Sequence, residues 1–183
     1  MKRLLSRCIM ATMVVLFTYS CAEEQDFNQA DDLNVTPTVA SSLFYLESTE
    51  EFINLATANP SFYSHTFNFE PFNEQFVADN LLDGALLYEI ENTTSKPLTF
   101  SIEYLDEGGN VLDVEVFDVE PEPAPLLTLR VAYGPGGKNL DILRNTSSLR
   151  VTAQNLGDNS STSAVSEPKV VLRSAAEFRF ELL

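Results

Sequence analysis

The chain has 183 residues, with 27 Asp and Glu against 11 Lys and Arg, a formal charge of −16, one His, two Cys and no Trp. So acidic a chain lacks the basic footprint that nucleic-acid phosphates require, which excludes nucleic acid as a partner, and it is repelled by an anionic leaflet. Both cysteines, Cys8 and Cys21, lie near the N-terminus, so the body of the chain offers no disulfide, cysteine nucleophile or Cys-ligated zinc.

Residues 1–20 read as a secretory signal that is cleaved. Lys2, Arg3 and Arg7 form a positive start, Ile9 to Phe17 a short apolar run, and Ser20 is small. The run falls short of the roughly 20 residues a spanning helix needs. Thr18-Tyr19-Ser20-Cys21 resembles the lipobox of bacterial lipoproteins, with Thr18 where Leu is usual. That resemblance implies that Cys21 is the lipid attachment site, diacylated at sulfur and the mature N-terminus. A single acyl chain anchors only marginally, whereas two or three hold firmly. Without the resemblance, Cys21 is the unpaired thiol of an ordinary secreted protein.

Loss of the three signal cations takes Lys+Arg from 11 to 8 and the charge from −16 to −19. Ala22, in place of an inner-membrane-retaining Asp, favours the outer membrane. Glu23, Glu24 and Asp26 look like the acidic patch that sends many Bacteroidota lipoproteins to the outer face. The same run also reads as a solvated tether. Residues 21–37, acidic and poor in apolar side chains, are therefore expected to form a lipidated tether that lifts a domain of residues 38–183 off the membrane.

Within the domain, Val39 to Leu46 reads as a strand. Glu50 to Ala58 reads as the one short helix, capped by Ser48 or Thr49, with Phe52, Ile53 and Leu55 on one side. Phe62 to Glu70 reads as a strand that places Tyr63, His65, Phe67 and Phe69 on one face. Val77 to Leu82 is a helical turn or the approach to a strand. From Gly84 to Val119 the period of two is clear: Leu86, Tyr88, Ile90; then Leu98, Phe100, Ile102, Tyr104; then Leu112, Val114, Val116, with Asp113, Glu115 and Phe117 opposite. This predicts a three-stranded meander buried on one face.

Pro121, Pro123 and Pro125 form a stiff connector. Leu126 to Tyr133 reads as a strand, Gly134 to Lys138 as a loop, Leu149 to Val151 as a strand start, and Gly157 to Pro168 as a mobile loop. Val170 to Leu182 closes the chain with Val170, Leu172, Ser174, Ala176, Phe178, Phe180 and Leu182 on one side. About eight strands separated by turns, with little helix, predict a mainly β fold: a single antiparallel β-sandwich, immunoglobulin-like or late-embryogenesis-abundant-like.

The motifs carry little chemistry. Gly134-Pro135-Gly136-Gly137-Lys138 lacks the spacing of a phosphate loop and reads as a turn. Asp106, Asn110 and Asp113 supply hard oxygen ligands and are a candidate calcium site, although Gly108-Gly109-Asn110 is also what a hairpin requires. His65, the lone histidine, reads as a packed, hydrogen-bonded side chain rather than a base or ligand. Asn34, Asn92, Asn145 and Asn159 begin glycosylation-type triplets that are more simply turn chemistry. No catalytic constellation is found, and no cofactor is expected.

Taken whole, Cys21, the arm from Asp31 to Glu47 and the stretch E-I-E-N-T-T-S-K-P-L-T-F-S-I-E-Y-L-D resemble the small outer-membrane lipoproteins of flavobacteria, within the Bacteroidota. The meander alone is similar to β-sandwiches of late-embryogenesis-abundant type, through its Asn-Pro-containing turn and L-D-x-x-G hairpin. These likenesses imply a lipid-anchored outer-membrane protein, periplasmic or surface-exposed. They point to a non-catalytic interaction or accessory subunit held to the membrane through Cys21 and bound to an envelope protein partner. Two alternatives stand beside it: a lipid- or small-ligand-binding sandwich with Phe62 to Phe72 lining a pocket, and a surface subunit that polymerises by lending Val170 to Leu183 to a neighbour's sheet.

Overall fold

A computed structural model describes residues 35–56, 61–69 and 75–182. The signal, Cys21 and most of the arm lie outside the described residues. Eight strands are formed: β1 (Thr38–Thr49), β2 (Ser61–Asn68), β3 (Leu81–Asn92), β4 (Leu98–Leu105), β5 (Val111–Val119), β6 (Leu127–Tyr133), β7 (Ser148–Asn155) and β8 (Lys169–Phe180). Among the described residues there are three short helices where the sequence suggests one: α1 (Glu50–Leu55), α2 (Gln75–Asp79) and α3 (Leu140–Asn145).

The strands make two four-stranded sheets, ordered β1-β8-β3-β6 and β2-β7-β4-β5, with every pairing antiparallel. The expected sandwich is therefore what forms. Its strand order differs from the immunoglobulin one, ABED on CFG. Successive strands alternate between sheets until β4, and the last two strands slot into the centres of both sheets. That order is a jelly roll.

Alternation along each strand builds the core. Leu98, Phe100, Ile102 and Tyr104 of β4 face Leu149, Val151 and Ala153 of β7 in their own sheet, and Tyr88, Ile90 and Leu172 of the other; all are buried. Sealing a side chain such as Ile102 from water contributes about 1.5–3 kcal/mol. β8 turns Val170, Leu172, Ser174, Ala176 and Phe178 inward as expected, whereas Phe180 is half-buried and Leu182, expected on the same side, is exposed. It is hydrogen-bonded to β1 on one side and β3 on the other. The described chain enters beside its exit, since Val35 O and Pro37 O accept from Leu182 N (3.0 Å) and Phe180 N (3.1 Å).

Two expectations are corrected. The meander does not exist, because β3 belongs to one sheet and β4 and β5 to the other. Thr93 to Pro97 is a corner between sheets: Asn92 Nδ2 holds Lys96 O (2.9 Å) while its Oδ1 accepts from Thr94 N (3.0 Å). β5 is also turned over. A register shift where Tyr104 pairs Asp113 and Leu105 pairs Val111 leaves Leu112 as the extra residue. Asp113, Glu115, Phe117 and Val119 consequently share the inner side with Phe100 and Ile102, and Val114 and Val116 face out. A bulge of one residue is enough to exchange the two faces of a strand.

Candidate functional site

Three places carry chemistry, and only one of them contains residues that the sequence singles out. At the end of the sandwich where β1, β3 and β7 finish, two charged side chains are buried. Lys96 has 0% of its side chain exposed, and its Nζ donates to Asp158 Oδ1 (3.1 Å), Ser161 O (2.8 Å) and Ser161 Oγ (2.6 Å). Three donors thereby meet three acceptors.

Glu50, 2% exposed, opens α1 just after the Thr49 cap, whose hydroxyl accepts from Phe52 N (3.3 Å). Glu50 Oε1 accepts from Ser95 N and Ser95 Oγ, both 2.6 Å, and Oε2 from Ser163 N (2.8 Å). Burial works to raise its pKa, but these hydrogen bonds outweigh burial and hold it below the ordinary carboxylate value. Asp158 is held well below that range by the amides of Ser161 and Ser160 and then by Lys96. The segment from Gly157 to Pro168, expected to be mobile, is thus tied to the β3–β4 corner and to α1. In α1 only Glu50 and Ile53 are buried; Phe52 and Leu55, expected on one side with Ile53, are exposed.

Beside this hub lies a cleft of about 760 Å³ whose walls include Glu47, Glu51, Asn54, Leu55, Glu167 and Lys169. Its size is that of a small-ligand pocket.

The second place is the open edge between β5 and β6. The loop Gly134 to Lys138 is a turn, closed by Gly134 N to Lys138 O (2.9 Å) and Gly137 N to Gly134 O (2.9 Å). Gly134 and Gly136 take φ of 100° and 83°, conformations that suit glycine. The turn lays Lys138 across β5, where its Nζ donates to Asp113 Oδ2 (2.6 Å) and to Glu115 Oε1. Burial acts to lower the Lys138 pKa, but these two bonds prevail and raise it. Behind them sits a buried tyrosine group. The Tyr88 and Tyr104 hydroxyls are 2.7 Å apart, and the Tyr133 ring lies 6.1 Å from that of Tyr104. Burial raises all three phenols, Tyr133 to about 12.

The third place is the pair of outer sheet faces, which differ. On the β1-β8-β3-β6 sheet the charges are matched: Arg130 with Glu177 (3.3 Å), Arg173 with Glu91 (3.8 Å) and stacked on Tyr45 (6.0 Å), Arg179 with Asp83, Lys169 with Glu47 (3.1 Å). On the β2-β7-β4-β5 sheet, Val116, Ser101, Thr152 and Ser64 form one row and Val114, Glu103, Arg150 and Thr66 the next. Val116 is 60% exposed and Val114 41%.

Of the calcium candidates, Asp106 and Asn110 are together. Asp106 Oδ1 accepts from Asn110 N (2.8 Å) and Oδ2 from Asn110 Nδ2 (2.9 Å), which closes the hairpin. Asp113 turns away to Lys138, and no group of three or more His, Cys, Asp or Glu placed to hold a metal occurs among the described residues. His65 is exposed rather than packed inside, its ring edge-on to Phe67 at 4.7 Å. No helix among the described residues is long and apolar enough to cross a membrane.

The chain matches no protein-family model and no curated protein. Similar solved structures include a capsid chain in the native virion of Kashmir bee virus at acidic pH, 9% identical, covering 90% of this chain and 83% of that one, with a TM-score of 0.45. A Bacillus endospore appendage pilus subunit is 12% identical over 82% of this chain and 92% of that one, at 0.34. The VP2 subviral particle of infectious bursal disease virus is 6% identical at 0.37, and this chain covers only 33% of its length.

Proposed function

We propose that this protein is a lipid-anchored, non-catalytic subunit of the outer membrane that works by binding an envelope protein. The observation that carries the interaction reading is the contrast between the two outer faces. One carries four matched charge pairs, whereas the other has, among the described residues, the single pair of Arg150 with Glu103 and ends in an edge strand whose valines stand in water. Exposed apolar stripes at an edge are where another chain pairs. The anchor rests on Thr18-Tyr19-Ser20-Cys21.

Cells grown with an alkyne fatty acid should label the full chain and not its Cys21→Ser variant, and the labelled chain, gently extracted, should copurify with the same envelope protein in repeated preparations. An unlabelled chain, or one that always emerges alone, would sink the proposal.

A second reading, the binding of a small ligand, is supported by the 760 Å³ cleft at α1 and by a cleft of about 450 Å³ lined by Phe69, Val77, Phe178 and Phe180, while residues 70–74 of the Phe62 to Phe72 stretch lie outside the described residues. Native mass spectrometry of the purified chain tests it, and a bare protein mass would count against it. The strand-lending alternative is disfavoured, because β8 is held between β1 and β3 along its length.

A further inference from the structure

We infer that β5 takes an added strand from a partner whose extended segment alternates aliphatic and basic residues; this rests on the interaction reading above and names the partner's chemistry. β5 is the outer strand of its sheet and, among the described residues, pairs only with β4. Such an edge presents backbone donors and acceptors along its length, and a peptide laid on it gains main-chain hydrogen bonds while its alternate side chains read the two faces. On the outer face they meet Val114 and Val116, which suit aliphatic side chains. On the inner side they meet Asp113 and Glu115, two carboxyl groups that share the single ammonium of Lys138.

One acidic group is therefore left without a cation of its own. A basic side chain on the added strand completes the set, and the −16 charge of the chain draws such a strand in. The same feature rejects a second copy. Two β5 edges joined about Glu115 would bring like carboxyl groups together, a repulsive arrangement that serves specificity. The inward carboxyls thus guard the edge against self-pairing while leaving it open to a basic strand.

The test uses the full chain in a non-ionic detergent and three synthetic ten-residue peptides. The first alternates Val and Lys, the second has the same composition in two blocks, and the third is the alternating peptide N-methylated at every second residue. Fluorescence anisotropy should show saturable binding of the first alone. Binding should weaken at least about tenfold in Val116→Asp and in Glu115→Gln and be unchanged in Tyr45→Asp, which alters the opposite face. Because a β5 variant can fail to fold, hydrogen exchange on the unaltered chain gives a second readout: the amides of β5 should slow on adding the alternating peptide.

Equal binding of all three peptides, or no slowing in β5, would overturn the inference, as would Val116-dependent self-association of the chain. An envelope partner that copurifies equally well with Val116→Asp would leave the interaction subunit standing and remove this site.

Discussion

Lys96 Nζ lies 3.1 Å from Asp158 Oδ1, a contact between a lysine with no exposed side-chain surface and an aspartate that is 61% exposed, separated by 62 positions in the chain. The lysine spans from the β3–β4 corner to the β7–β8 loop and fastens one to the other. Replacing Lys96 with Met removes the ammonium and its bonds to Ser161 and Asp158, while the Asp158 carboxylate keeps the amides of Ser160 and Ser161. The aspartate left behind is largely exposed, so what is lost is the donor at a part-buried acceptor, about 1–3 kcal/mol. Chemical denaturation should report a loss of that order, and hydrogen exchange should quicken at Ser161 and Ser163 before the β4 and β7 amides.

Acid should loosen the same end. Glu50 and Asp158 both have folded pKa values below their ordinary ones. The stability they contribute is fully present above the unfolded carboxyl values of about 4 and is lost as pH falls through the folded values. Urea midpoints measured from pH 7 down to pH 2 should drop below about pH 4, and Glu50→Gln should flatten that drop while lowering the plateau. An unchanged acid limb in the Gln variant would remove Glu50 from this role.

The buried Tyr88 and Tyr104 hydroxyls satisfy each other at 2.7 Å. Tyr88→Phe strands the hydroxyl of Tyr104 and should cost about 1–3 kcal/mol, as should Tyr104→Phe. The double variant should cost much less than the sum, because neither hydroxyl is then left over. Additive losses in a double-mutant cycle would contradict the pairing.

A Cβ built on Gly137 would lie 2.3 Å from the carbonyl oxygen of Ala132. Gly137→Ala must therefore push the turn open, at about 1–3 kcal/mol if it behaves as overpacking does. The neighbouring Lys138 should move with it, so the Lys138 ammonium should lose its NMR contacts to Asp113 and Glu115.

Period-two patterns made β4 and β8 legible, because each has one mainly apolar side, whereas β7 showed only its start at Leu149 to Val151. β5 was harder, since V-L-D-V-E-V-F-D-V offers aliphatics on one side and acids plus Phe117 on the other. Sequence reasoning weighed three aliphatics above one phenylalanine. The core chose Phe117 and Val119, and it tolerates Asp113 and Glu115 inside because Lys138 arrives from another loop. The hub was invisible for the same kind of reason. Lys96, Glu50 and Asp158 each sit in an unremarkable polar stretch, and nothing local says that three loops meet. The Thr49 cap was readable because a cap and its helix are neighbours. Helix α3 was missed, although Asn139 before Leu140 was a usable start signal, its Oδ1 accepting from Asp141 N (3.0 Å).

The described fold begins and ends side by side, with Val35 hydrogen-bonded to Leu182, and β1 then runs 12 residues, about 40 Å at a strand's rise, to the hub and its cleft. Val35 and Leu182 therefore share one pole of the described fold, and the hub lies at the other. Linking Leu182 back to Val35 and reopening the chain at another turn, as a circular permutant, would leave the pairing of β1 with β8 undisturbed.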